Sequence, residues 1–185
     1  VTVDANGLRR DISGQKIAPT IALTALNNQL VVDGTLSALG GDISLQAGIN
    51  PTDVSDQGFN PSQAIWLGKN AKLLAGGYTR ITPNKDGLRQ GTVYDGGSIH
   101  LDAEKGYVVA ETGSLIDVSG TSAVFDIQNL NQFTPTLVAS NGGEISINAR
   151  EGMLLDATYQ ASSPGGLAGS LELELSRNGR FPNAV

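Results

Sequence analysis

The feature that most constrains this chain is a strand pattern that recurs behind a pair of glycines. Residues 40–47 read GGDISLQA, residues 96–103 GGSIHLDA and residues 142–149 GGEISINA; residues 168–175, AGSLELEL, follow the same pattern more loosely. In each, aliphatic side chains take alternate positions with polar ones between them, the period of two that turns one face of a strand to a core and the other to water. Stacked in register, these segments make a parallel sheet whose inner ladder is Ile43, Ile99, Ile145 and Leu171, with neighbouring strands about 4.8 Å apart.

The full repeating unit is longer than one strand. In residues 96–120, GGSIHLDAEKGYVVAETGSLIDVSG, the first strand is followed by a turn at Gly106, the run Tyr107-Val108-Val109-Ala110, a turn at Gly113 and the run 114–118. Three short strands joined by glycine corners, with no stretch long enough for a helix, describe one turn of a solenoid. Residues 1–14 align with 107–120 without a gap, and residues 29–39 with 152–162. Runs such as Leu-Val-Val and Met-Leu-Leu, short, apolar and bounded by turn residues, read as fully buried parallel strands.

The expected fold is therefore all-β: a right-handed parallel β-helix, residues 1–185 forming one segment of about six to seven rungs. Residues 64–77 are expected to supply a rung of two strands, with Trp66 covering an edge of the core. Residues 48–63, 78–95 and 121–141, polar and bearing Pro or Asn, read as three surface insertions, which a stacked core tolerates because only a loop lengthens. A β-sandwich is the competing architecture. It would place hairpin turns between consecutive alternating runs, whereas Asn-Gly falls at 6–7, 141–142 and 178–179, at repeat corners.

Composition narrows the function classes. A formal charge of −6 without a basic run speaks against a nucleic-acid partner. No apolar run nears the roughly 20 residues of a membrane span, so no membrane insertion is expected. Cysteine is absent, which excludes disulfides and thiolate metal sites and suits export in an unfolded form. The chain starts at Val1, inside a repeat and without a signal peptide, which leads to the expectation of a piece of a much longer protein.

Chemistry is sparse. His100 is the single histidine; with Asp102 two residues on, it reads as a solvated surface pair, and one His without Cys disfavours zinc. Asp102, Glu144, Glu172 and Glu174 fall on equivalent strands, but aligned positions vary freely, Asp42 and Ser98 matching Glu144, and Gln46 and Asp102 matching Asn148. That scatter fits solubilising choices better than a site. Asp53 and Asp56 share a polar loop and read as solvated, and the corners at 11–14 and 117–120 as side-chain-capped turns before Gly. No catalytic residue, metal or cofactor is expected, and the chain does not read as an enzyme.

The alternation of GGSIHLDA and GGEISINA with GSLIDVSG and GMLLDAT resembles the repeat region of large filamentous-haemagglutinin-like exoproteins of the two-partner secretion family. The likeness covers most of the chain and marks an architecture rather than an activity. It implies a β-helical shaft of a secreted or cell-surface bacterial adhesin, moved across the outer membrane by an Omp85-type transporter and acting in attachment, aggregation or biofilm. The family's amino-terminal secretion domain is not matched, since Asn50-Pro51 and Asn60-Pro61 lack the Asn-Gly continuation of its motif. Two other readings share the fold: a polysaccharide lyase or glycosidase on a β-helix, and the shaft of a contact-dependent inhibition toxin-delivery protein.

Because a shaft repeats, recognition of a glycan or surface receptor is expected in its insertions. The candidates are Tyr78, Arg80, Lys85 and Arg89 in the second insertion, and Phe125, Phe133 and Leu137 in the third.

Overall fold

The computed structural model describes residues 2–4, 9–10, 16–48, 62–130 and 132–176. Among them there is no helix, and the chain is built on three parallel sheets. The first sheet takes Thr20–Leu26, Asp42–Gly48, Ser98–Ala103, Glu144–Ala149 and Ser170–Leu175, stacked in chain order. The second takes Leu30–Val32, Ile65–Leu67, Tyr107–Ala110 and Gly152–Leu155, and the third Thr2–Asp4, Thr35–Ser37, Lys72–Leu74, Leu115–Asp117 and Thr158–Gln160. The chain visits first, second and third sheets in that order in four complete passes, with a third-sheet strand before them and a first-sheet strand after.

Register follows the aliphatic pattern. Ile21, Ile43, Ile99, Ile145 and Leu171 lie in one column of the first sheet, Leu23, Leu45, Leu101, Ile147 and Leu173 in the next. The middle members Ile43, Ile99 and Ile145 are fully buried. Leu171, Leu173 and Leu175, on the last strand, have a strand on one side only among the described residues and stay about half exposed. Facing columns come from Ile65 and Val108 in the second sheet and Leu36, Leu73, Ile116 and Tyr159 in the third. Tyr159 is the one aromatic in that last column. Burial, with a smaller push from Asp156, raises its hydroxyl pKa to about 12.

The glycine pairs have a specific steric cause at the corner between third and first sheets. A Cβ on Gly97 would sit 1.7 Å from the carbonyl oxygen of Gly41; on Gly143, 1.9 Å from that of Gly97; on Gly169, 2.1 Å from that of Gly143. Each of those carbonyls also accepts the N–H of the residue after the glycine above it: Ser98 to Gly41 at 2.9 Å, Glu144 to Gly97 at 3.0 Å and Ser170 to Gly143 at 3.0 Å. The hydrogen bond that starts each strand thus brings a backbone oxygen into the volume a side chain would need. Only glycine permits both.

Several expectations change. Among the described residues the complete passes number four, with one strand of a further pass before them and one after, against the expected six to seven rungs. Residues 64–77 are not a separate rung: Ile65–Leu67 and Lys72–Leu74 are the second and third strands of the pass that opens at Asp42–Gly48, and the first insertion lies inside that pass. Most of that insertion, 49–61, falls outside the described residues. Thr2–Asp4 pairs with Thr35–Ser37 in the third sheet, whereas the alignment with 107–120 would have set it in the second. A bare alternating triplet carries no mark of which sheet it joins. The remainder of the aligned segment 1–14 lies largely outside the described residues, Asp11 included.

The Leu-Val-Val type of strand is half buried rather than fully buried. Its flanking residues point inward and its middle residue outward, so that Val31, Trp66, Val109 and Leu154 form an outer apolar column. Trp66 does not cover a core edge. Its indole N–H donates to the Glu111 carboxylate at 2.7 Å, which holds the ring along the surface.

Gly97→Ala is expected to destabilise the protein by about 3 kcal/mol, because backbone rather than a movable side chain fills the space. Gly87, at φ 78° with open space around its Cβ position, isolates the conformational penalty alone. Gly87→Ala is expected to cost only about 1 kcal/mol. Thermal unfolding of the two variants compares them.

Candidate functional site

The second and third insertions are not irregular loops. Each is an antiparallel hairpin rising from the corner between third and first sheets. The first joins Tyr78–Ile81 to Gly91–Tyr94 and the second Ser122–Asn129 to Gln132–Ala139. The same corner between Asp4 and Thr20 carries a short antiparallel pair, Arg9–Arg10 with Lys16–Ile17. Residues 39–41 cross it without any insertion.

Neither hairpin uses Asn-Gly. In the first, the Asn84 side-chain oxygen accepts the N–H groups of Asp86 and Leu88, each at 2.9 Å, and Gly87 takes the left-handed position. Short polar side chains that bond their own backbone and a glycine at positive φ are sufficient for such a turn. At its base the rings of Tyr78 and Tyr94 stack with centroids 4.9 Å apart. The Tyr78 ring and the Tyr94 Cβ lie beside Gly40, whose corner belongs to the pass below.

The two hairpins are joined edge to edge. Asp126 donates its N–H to the Arg89 carbonyl at 2.8 Å, and Arg89 donates its N–H to the Asp126 carboxylate at 2.7 Å. The Phe125 ring is 5 % exposed and lies over Gly91, where an added Cβ would come within 2.7 Å of it. Because Asp126 turns its N–H toward Arg89, the facing residue Pro135 directs its backbone away from the pair. The one residue without an N–H therefore sits on the open edge of Gln132–Ala139, which weakens that edge as a template for another strand.

Of the seven candidate residues, Tyr78 is half-buried and stacked on Tyr94, and Phe125 is buried in the seam between hairpins. Arg80, Lys85 and Arg89 are exposed on the first hairpin. Phe133 and Leu137 are exposed on the second, and by alternation they share one face with Val124. Sequence reasoning misses four exposed residues: Ile81 on the first hairpin, and Val124, Ile127 and Leu130 on the second. The signal was present in their β-branched and aliphatic character inside segments otherwise read as polar.

Elsewhere several polar surface groups are used structurally. Asp33 accepts the backbone N–H and the side-chain amide of Asn70, and these bonds, the backbone one first, hold its carboxyl below the usual range. Asp117 caps its own corner through the Ser119 N–H at 2.8 Å. An open groove of about 500 Å³ follows the glycine corner, rimmed by Asp42, Ser98 and Glu144, with Ser98 donating to Asp42 at 2.5 Å. His100 is exposed on the outer face of the first sheet. Among the described residues no three His, Cys, Asp or Glu side chains are placed to hold a metal ion. Asp53 and Asp56 lie outside those residues.

Comparison with protein-family models, with curated proteins and with solved structures gives no match. Among the described residues no helix is long and apolar enough to cross a membrane. The hairpin pair is therefore argued from its own chemistry.

Asp102, on the same outer face as His100, accepts from the Asn148 amide at 3.2 Å, and its carboxyl pKa is raised by burial first, then by Glu104 and Glu174. Folding thus favours its protonated form, so the charged form costs stability at neutral pH, and the cost fades as pH falls through the carboxylate range. Asp102→Asn is expected to raise stability at neutral pH and to make little difference near about pH 4. Thermal unfolding of both proteins at the two pH values checks the sign.

Proposed function

We propose that this chain is a segment of a right-handed parallel β-helical shaft of a secreted or cell-surface bacterial adhesin, exported by two-partner secretion through an Omp85-type transporter. The observation that carries the reading is the in-register repetition of one three-strand pass, four times over, with every described hairpin placed at the same corner. Parallel strands joined in a fixed order favour a right-handed path. Units that contact only their neighbours make a spacer that extends without changing its cross-section. The lack of cysteine suits passage through a transporter in an unfolded state. The resemblance of the repeats to filamentous-haemagglutinin-like shafts supplies the secretion route and the adhesive role.

Under this reading the stacked sheets are scaffold, and attachment to a glycan or surface receptor belongs to the hairpins. The chain itself supplies the control. Residues 39–41 pass the corner tightly, so replacing residues 121–141 with a corner of that type removes the second hairpin and leaves the stack. The variant is expected to keep a β-type circular dichroism spectrum and to lose attachment to cell surfaces and glycan arrays. Attachment that persists undiminished in the variant contradicts the adhesive role of the hairpins.

A further inference from the structure

We propose that the paired hairpins dock the protein on the headgroup region of a phospholipid bilayer that contains anionic lipid. The inference rests on the hairpins being the contact element of the adhesive reading, and names the surface they meet.

The first observation is Leu130 at the apex of the second hairpin. It is 89 % exposed and adopts φ 56°, a left-handed conformation that leucine disfavours and that Gly or Asn would take readily. Neither backbone preference nor burial explains a leucine there. A residue unfavourable on both counts at an exposed tip points to a contact outside the chain.

The second is how the apolar groups are distributed. Close to the tip, Phe133 lies on one face of the hairpin, 43 % exposed, Ile127 lies on the other, 44 % exposed, and Leu130 lies between them at the apex. A flat protein surface would cover one face and leave the other wet, whereas a bilayer interface surrounds the tip. From Leu130 back to Ile127 or Phe133 is three residues, about 10 Å of strand, which matches the depth of roughly 5–10 Å at which apolar groups settle among headgroups. Residues 127–139 carry no charge, and the hairpin's carboxylate, Asp126, is already bonded to the Arg89 N–H.

The third is charge. The chain is −6 overall, yet residues 80–90 carry Arg80, Lys85 and Arg89 against the single acid Asp86. All three basic side chains are exposed on the hairpin fastened to the apolar one, beside Ile81, itself 53 % exposed. Cationic groups next to an uncharged apolar tip complement phosphate headgroups over an acyl boundary. Docking at this depth leaves the bilayer unspanned.

The test is co-sedimentation of the full chain with phosphatidylcholine vesicles and with vesicles that also contain phosphatidylglycerol, at low and physiological salt. Binding is expected to the mixed vesicles, weaker to the neutral ones, and reduced by salt. Leu130→Asn suits the left-handed position better and so should fold at least as well, yet it is expected to lower partitioning about tenfold. Arg80→Gln, Lys85→Gln and Arg89→Gln are each expected to lower it about fivefold and to flatten the salt dependence. The proposal is overturned if the full chain leaves both vesicle types in the supernatant, if Leu130→Asn binds unchanged, or if neutral and mixed vesicles bind it equally. Glycan-array binding that depends on Leu130 without vesicle binding would overturn the lipid assignment and leave the adhesive reading standing.

Discussion

The contact on which the rest depends is a carbonyl oxygen lying where a side chain would otherwise be. At Gly97, Gly143 and Gly169 the glycine of the pass below presents its C=O to the next residue's N–H, and the closeness needed for that bond leaves no room for a Cβ. Once this corner is fixed, the first sheet has a defined starting point in every pass. The period of two then decides which side chains go inward. A shift by one residue would turn Ile99 and Leu101 to solvent and His100 and Asp102 into the core, so corner and hydrophobic pattern enforce the same register.

Because the corner is set by backbone alone, whatever chain lies between third and first sheets is free to differ. Residues 39–41 cross directly, while 78–94 and 122–139 stand out as hairpins before returning to the same glycine contact. Cohesion inside the stack is aliphatic and repetitive; cohesion between the hairpins is particular, resting on Phe125 over Gly91 and on the reciprocal bonds of Asp126 and Arg89. The two kinds of packing separate a part that conserves geometry from a part that can acquire specificity.

Much of the stack is legible in the sequence for a physical reason: the glycine pair and the alternation it precedes report two independent constraints that coincide at 41–47, 97–103 and 143–149. The alignment of 29–39 with 152–162 likewise gives the observed partners, through Val32, Leu67, Ala110 and Leu155 and through Thr35, Lys72, Leu115 and Thr158. The outer apolar column of the second sheet is not legible, since three apolar residues in a row do not say which of them faces water. The hairpins are partly hidden because Pro83, Asn84 and Pro135 speak for loops. Pro135 is tolerated where its missing N–H faces an open edge, a fact that requires the pairing to be known. The burial of Phe125 is not legible either, because its cover, Gly91, comes from a different insertion.

The in-register stack is tested most directly by introduced disulfides, for which the absence of native cysteine gives a clean background. His100 pairs with Ser146 on adjacent strands of the first sheet, and Ser44 pairs with His100, so Ser44 and Ser146 are two strands apart. Neighbouring positions lie about 4.8 Å apart and fall within the reach of a disulfide, while positions two strands apart, at roughly 9.6 Å, do not. The account predicts that His100→Cys with Ser146→Cys oxidises readily to an intramolecular bond and that Ser44→Cys with Ser146→Cys does not. The reverse result, or equal cross-linking of both pairs, would contradict it.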